Sequence, residues 1–337
     1  MARRMGRVGI GRAPLIAGLA LTCTVAWAHP GPGIVVDKDG VIYVAGGPRN
    51  RIFAIREGKG AHPLVEEHTE YVRVPHHLLL HDGFVYTASD DGKVLWQRPT
   101  EVRGRTTHLG GLVRYYPAPD WYGITFVGRG GNPFTIDKRG NIYCINERQY
   151  KYSQILKIDA GRKISVVAGG EWGYVDGKGK EAKFEDLHSA AFAWGPKGGL
   201  YLTDNRCRVR RIAKDGTVTT VAGGAERGYK DGPAKEARFD GASGLCVDDQ
   251  GAVYVADRVN QRIRKIANGK VTTVTGWAEK DGKGAPLASP TGVTLGPKGA
   301  LYILDYVKDV PTVRKLAEGR LTTVAKIPKE IPKEKKR

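Results

Sequence analysis

From residue 33 to residue 326 the chain alternates short apolar runs with polar, Gly-rich turns, and the alternation has a fixed internal order. A first run, such as GIVVD (33–37), FTID (134–137) or GLCVD (244–248), meets a tight turn such as DKDG, DKRG or DDQG. A second run follows (VIYVA, NIYCI, VYVAD), then a third (RIFAI, QILKI, RIRKI), then a fourth (HPLVEE, KISVVAG, KVTTVTG). The runs are rich in Val, Ile and Tyr and too short for helices. Each order therefore predicts four strands joined by hairpin turns.

The order repeats. A Gly stands three residues before a Tyr at Gly40/Tyr43, Gly83/Tyr86, Gly140/Tyr143, Gly198/Tyr201, Gly251/Tyr254 and Gly299/Tyr302, with Tyr-to-Tyr spacings of 43, 57, 58, 53 and 48 residues. Periods of this size belong to solenoids, propellers or arrays, because one such unit cannot bury both of its faces and must stack on neighbours. Six units of four strands predict an all-β fold, a six-bladed β-propeller with four-stranded antiparallel blades. The expected blades run at about 29–70, 71–118, 119–170, 171–224, 225–276 and 277–326. The recurring Tyr is expected to pack between blades. Both terminal units carry all four runs, so closure does not require a strand exchanged between the ends.

One stretch is written twice, as VVAGGEWGYVDGKGKEAKFED (166–186) and TVAGGAERGYKDGPAKEARFD (220–240). It lies between the fourth run of one unit and the first run of the next, which makes it an inter-blade connection. Its GY.DG is expected to turn, Gly supplying the positive φ. Phe184 and Phe239 are expected to plug the seams between blades. A shortened third copy at 274–290 carries Trp277 in place of the Phe.

The segment ARFDGASGLCVDDQGAVYVADRVNQRIRKI (237–266) resembles an NHL repeat through Asp257, Asn260, Arg262 and Ile263. The unit at 188–212 keeps Asp204 and RVRRI with one residue fewer between them, and the first unit keeps Arg51-Ile52 but has Gly46 in the Asp position. The resemblance spans 33–326, strongest in 160–316. It implies the propeller fold and a structural role for Asp204, Asp257, Asp305 and Arg262. It does not by itself imply an activity.

The ends read differently. Arg3, Arg4, Arg7 and Arg12 precede an apolar stretch, Ala13–Val25, and Ala26-Trp27-Ala28. This is the pattern of a secretory signal peptide (1–28) cleaved near Ala28, leaving a mature chain that begins at His29 and is exported to the periplasm or the medium. The apolar stretch is short for a membrane span, and no transmembrane helix is expected in the mature chain. Lipid attachment at Cys23 is the alternative, with Thr22 where a smaller residue is usual. The Lys- and Pro-rich end at 327–337 is expected to be disordered.

Charge narrows the partners. The chain carries a net +19, of which the leader and the segment from Lys326 onward contribute four each. A surface of this sign favours anionic partners, here a protein or an anionic polysaccharide. No aromatic-rich basic run marks a nucleic-acid path.

Chemistry, if any, belongs at the axial mouth where the first strands begin. Aligning the units places Arg73, His76 (or His77), Asn132, His188 and Asp240 there. His76, His188 and Asn132 are the residues able to hold one divalent metal, imidazole suiting zinc and amide oxygen suiting calcium. GGNPFTID (130–137) is similar, through Asn132 and Asp137, to a metal-binding segment of gluconolactonase-like propellers. That resemblance implies an alternative function, a metal-dependent hydrolase or lactonase. An N-terminal His29 could chelate copper with a second His. No P-loop, nucleophile elbow, H-E-x-x-H or dinucleotide fingerprint is present. The leading functional expectation is an exported binding or scaffold module for a protein or anionic glycan. Cys144, Cys207 and Cys246 make an odd count with no C-x-x-C; Cys144 and Cys246 read as small core residues.

Overall fold

The computed structural model describes residues 33–46, 51–58, 61–63, 77–81, 84–88, 94–97, 133–148, 151–159, 163–187, 189–276 and 287–327. The leader with Cys23, the segment beyond Ile327, the run GLVRYY and Trp277 lie outside these residues.

The fold is a β-propeller. A first sheet joins Ile34–Val36, Ile42–Gly46, Arg51–Ile55 and Ala61–Pro63. A third joins Phe134–Ile136, Ile142–Arg148, Tyr152–Ile158 and Ile164–Glu171, and a sixth joins Pro290–Leu295, Leu301–Val307, Val310–Ala317 and Arg320–Lys326. The fourth (Phe192–Trp194, Leu200–Asp204, Arg208–Ile212, Thr217–Gly223) and fifth (Ala242–Val247, Val253–Asp257, Arg262–Ala267, Lys270–Thr275) each carry an added outermost strand, Gly177–Lys178 and Gly232–Pro233. The second sheet has three strands, His77–His81, Phe84–Ala88 and Val94–Gln97.

This corrects the expectation of a six-bladed propeller with four-stranded antiparallel blades. Five blades have four or five strands, and the second sheet stops at three among the described residues. The Gly-x-x-Tyr signature marks only the hairpin between strands one and two. It cannot report whether the outer strands of a unit join the sheet, nor whether a connector adds one. The connector does add one: Gly177 pairs with Val218 and Lys178 with Thr217, and Gly232 pairs with Val271. The GY.DG segment has the positive φ expected at its first Gly, 148° at Gly173 and 140° at Gly228, and its last Gly begins the added edge strand.

Burial explains the stacking. Phe184 is fully buried among Ile145, Ile155, Leu202 and Val218 of the third and fourth sheets, and Phe239 among Val209, Ala222, Val255 and Val271 of the fourth and fifth. Each is the seam plug that the echoed segment predicted. The first and last sheets share a core of Ile34, Val44, Phe53, Tyr302 and Leu304, so the ring closes by packing its two ends. Glu57 seals that seam, accepting from Tyr302 Oη at 2.8 Å and Lys315 Nζ at 2.7 Å.

The recurring Tyr does more than pack. The Tyr43 and Tyr143 hydroxyls donate to Asp37 and Asp137, the acids that open the turn before them, and Tyr254 does the same to Asp248. The same acids accept turn amides, Val41 N and Asn141 N among them. At φ of 76°, 79° and 88°, Gly40, Gly140 and Gly251 let each turn close.

Candidate functional site at the strand inlets

Strand one of each blade enters, and strand two leaves, at the same face. Three acids at the ends of second strands are turned inward there. Asp204 accepts the Glu185 amide, Asp257 the Asp240 amide at 2.8 Å, and Asp305 the Ala288 and Ser289 amides. All three side chains are shut off from solvent. Each ties the incoming strand to the outgoing one, which is the structural role expected of them.

Two of these acids also neutralise buried arginines. Arg210 Nη1 lies 2.7 Å from Asp204, and Arg264 Nη1 lies 2.7 Å from Asp257. The guanidiniums reach outward to a second acid on the added strand's approach, Asp176 at 2.9 Å and Asp231 at 2.5 Å. Tyr174 lies over Arg208 and Arg210, and Tyr229 over Arg262 and Arg264. The echoed G-Y-x-D-G sentence is therefore a lid for a buried arginine, one ring and one carboxylate per blade. Arg264 holds Asp257, and Arg262 bonds the Asn260 carbonyl.

Burial pushes the Asp257 carboxyl up, opposed by Asn260, the Asp240 amide and Arg264; the Asp204 carboxyl is likewise raised by burial. Glu147, at the end of the third sheet's second strand, differs. Among the described residues no guanidinium bonds it, and its oxygens accept only the Leu187 amide, at 3.2 and 3.4 Å. Burial and then the charge of Asp186 push it up to about 8.

Of the sequence-predicted site residues, only Asp240 lies among those described; Arg73, His76, Asn132 and His188, together with His29, do not. Asp240 stands at the fifth inlet, its amide held by Asp257 and its carbonyl by Val259 N. His77 is buried in its strand. Among the described residues no group of three His, Cys, Asp or Glu side chains could hold a metal ion. Asp137, the described half of the metal-segment resemblance, does not fit a ligand. It takes bonds from Arg139 N, Asn141 N, Asn141 Nδ2 and Tyr143 Oη, and sits at the opposite end of the blade from the inlets.

Sequence reasoning missed the residues just past the second-strand acids. Arg206 and Arg258 sit there, on neighbouring blades. Both are half-buried. Arg206 Nη2 donates to Ser189 Oγ at 3.0 Å, and Arg258 Nε to Ser289 Oγ at 3.0 Å. Tyr306 follows Asp305 in the place where Arg258 follows Asp257, and its phenol is pushed up by burial, with Arg258 opposing. The available signal was the one or two residues after each second-strand acid, positions with no periodic partner to draw attention to them.

A family model described as the NHL repeat matches residues 239–266. Mouse Teneurin-3 is 31% identical over 138 residues, covering 34% of this chain and 5% of that protein's length. Among solved structures, an auxiliary nutrient binding protein from Bacteroides thetaiotaomicron aligns over 88% of this chain and 70% of its own, with a TM-score of 0.58 at 15% identity. A protein provisionally assigned as a gluconolactonase aligns over 89% and 91%, with a TM-score of 0.54 at 13% identity. At such identities the two structures speak for the propeller fold alone.

Proposed function

We propose, from the premise that this chain belongs to the NHL-repeat β-propellers, that it is an exported binding module whose inlet face takes up an anionic ligand, a glycan or an acidic protein surface. The observation that carries this reading is the fate of the inlet acids. Asp204, Asp257 and Asp305 are buried onto backbone amides, and Glu147 is buried with burial favouring its neutral form. Arginines stand beside them at the face. An inlet whose second-strand acids point inward, beside arginines that stay half-exposed, attracts negative charge. The net charge of +19 acts in the same direction. The likeness in fold to a nutrient binding protein agrees with a binding role. No helix among the described residues is long and apolar enough to cross a membrane.

The test is binding of the full chain to an array of neutral, uronate-bearing and sulfated glycans at low and high salt. Preference for the acidic members, weakened by salt, is expected. Equal binding to neutral glycans, or none to any acidic glycan or acidic protein, would overturn it. The lactonase alternative rests on His76, Asn132 and His188, and no described residue adds support for it. One divalent metal per chain together with lactone hydrolysis would establish it in place of the binding role.

A further inference from the structure

We infer that Arg206 and Arg258, with the hydroxyls of Ser189, Ser289 and Tyr306, form an oxyanion-binding site at the inlets of the fourth to sixth sheets, suited to a carboxylate, sulfate or phosphate group. The inference rests on the reading of the inlet face as anion-binding and gives that reading its residues.

Backbone geometry brings the two arginines together. The Ala242 amide donates to the Arg206 carbonyl at 2.8 Å, and the Arg258 amide donates to the Gly241 carbonyl at 3.2 Å. Two consecutive residues of one strand inlet thus hold an arginine loop on either side. The third loop joins through Ser289, whose carbonyl accepts the Tyr306 amide at 3.1 Å and whose hydroxyl accepts from Arg258.

The side-chain chemistry at the face is donor-rich. Among the described residues Arg258 uses Nε alone, on Ser289, which leaves both terminal nitrogens of its planar fork open. No carboxylate pairs with Arg258 among the described residues; Asp257 beside it is committed to Arg264, and Asp240 on the same inlet makes no ion pair with it. Ser289 and Ser189 each accept from a guanidinium, so each hydroxyl hydrogen is left to donate. The arginines that hold the blades together, Arg208, Arg210 and Arg264, all have carboxylate partners. Arg258 is the contrast. It is desolvated and lies beside a like charge; burial and then Arg206 both lower its affinity for its proton. A bidentate oxyanion on the Arg258 fork would relieve that repulsion and match the planar donor geometry.

The experiment is calorimetric titration of the full chain with inorganic phosphate, free galacturonate and a galacturonate oligomer, for the wild type, Arg258→Gln, Arg206→Gln and Tyr306→Phe. Wild-type binding of at least one probe is expected, with a loss of about tenfold or more in each Arg variant. Phosphate binding would identify a small free oxyanion as sufficient; binding of the oligomer alone would identify a polymer-borne carboxylate. The melting temperature gives a second readout. Arg258→Gln removes an uncompensated cation and should not lower it, whereas a structural arginine would, and Tyr306→Phe keeps the test intact should an Arg variant fail to fold. Wild-type binding that survives in both Arg variants would overturn this site and leave the anion-binding reading standing. Binding of no probe by the wild type would overturn the site; the glycan and acidic-protein array then decides separately whether the broader reading falls with it.

Discussion

Asp257 and Arg264 meet at 2.7 Å with neither side chain reaching solvent, and the same pair recurs one blade earlier as Asp204 and Arg210. The residues are seven apart in one blade and six in the other. The shorter loop turns through two left-handed residues, Asn205 and Arg206, and the longer through one, Gln261, so a deleted residue leaves the ion pair intact. A charge this deep is tolerated because it is bonded on every side: Arg264 also donates to the Arg238 and Lys230 carbonyls and to Asp231.

Removing one partner is therefore costly. Asp257→Ala leaves Arg264 buried with Asp231 as its remaining carboxylate partner among the described residues and frees the Asp240 amide, and is expected to lower stability by about 3–5 kcal/mol. The double variant Asp257→Leu with Arg264→Met should recover much of that loss. Urea midpoints of the three proteins check it; a single variant with an unshifted midpoint would refute the role of the pair.

Gly223 and Gly224 are adjacent but not equivalent. At Gly223 φ is 85°, and a Cβ would run into the Cys207 carbonyl, which belongs to the backbone and cannot step aside. Gly224 has open space around its Cβ position. Gly223→Ala should cost about 1–3 kcal/mol or more, and Gly224→Ala no more than about 0.5 kcal/mol. Melting temperatures of the two variants provide the comparison.

Glu147 gives the fold a pH dependence. Its folded pKa, about 8, lies above its ordinary value of 4.5. Between those values the folded chain holds a proton that the unfolded chain releases, so stability falls as pH rises through this window, by up to about 1.4 kcal/mol per unit. Below the window the contribution is fully present. Glu147→Gln keeps the neutral form at every pH and should flatten the slope. Urea midpoints at pH 5 and pH 8 measure it; equal slopes in the two proteins would show that another group is responsible.

Cys144, Cys207 and Cys246 are free thiols in the structure. Burial pushes the Cys144 thiol up to about 12 and raises Cys246 and Cys207 as well. Little thiolate is therefore present at neutral pH to react. Native protein should resist alkylation at all three positions, and denaturant should expose them. A reducing agent should leave the melting temperature unchanged.

The chain by itself determined what depends on local spacing. Strands one to three of each unit, the Gly-closed turn after Asp37, Asp137 and Asp248, and the seam positions of Phe184 and Phe239 follow from the periodic pattern, because neighbouring residues and one repeat length specify them, while the structural role of Asp204, Asp257 and Asp305 followed from the resemblance to the NHL repeat. Tertiary structure alone decided which strands complete a sheet, as with Gly177–Lys178 and Gly232–Pro233, since edge pairing joins residues about 40 apart. It alone showed that Arg264 meets Asp257. The pairing of Arg258 with Ser289, and its approach to Arg206, likewise join residues of different blades. No repeat compels these contacts, because each loop residue at the inlet varies from blade to blade while the sheets beneath keep their order. The periodic part of the sequence builds the scaffold, and the aperiodic residues at its rim gain chemistry only when the ring closes and brings them together.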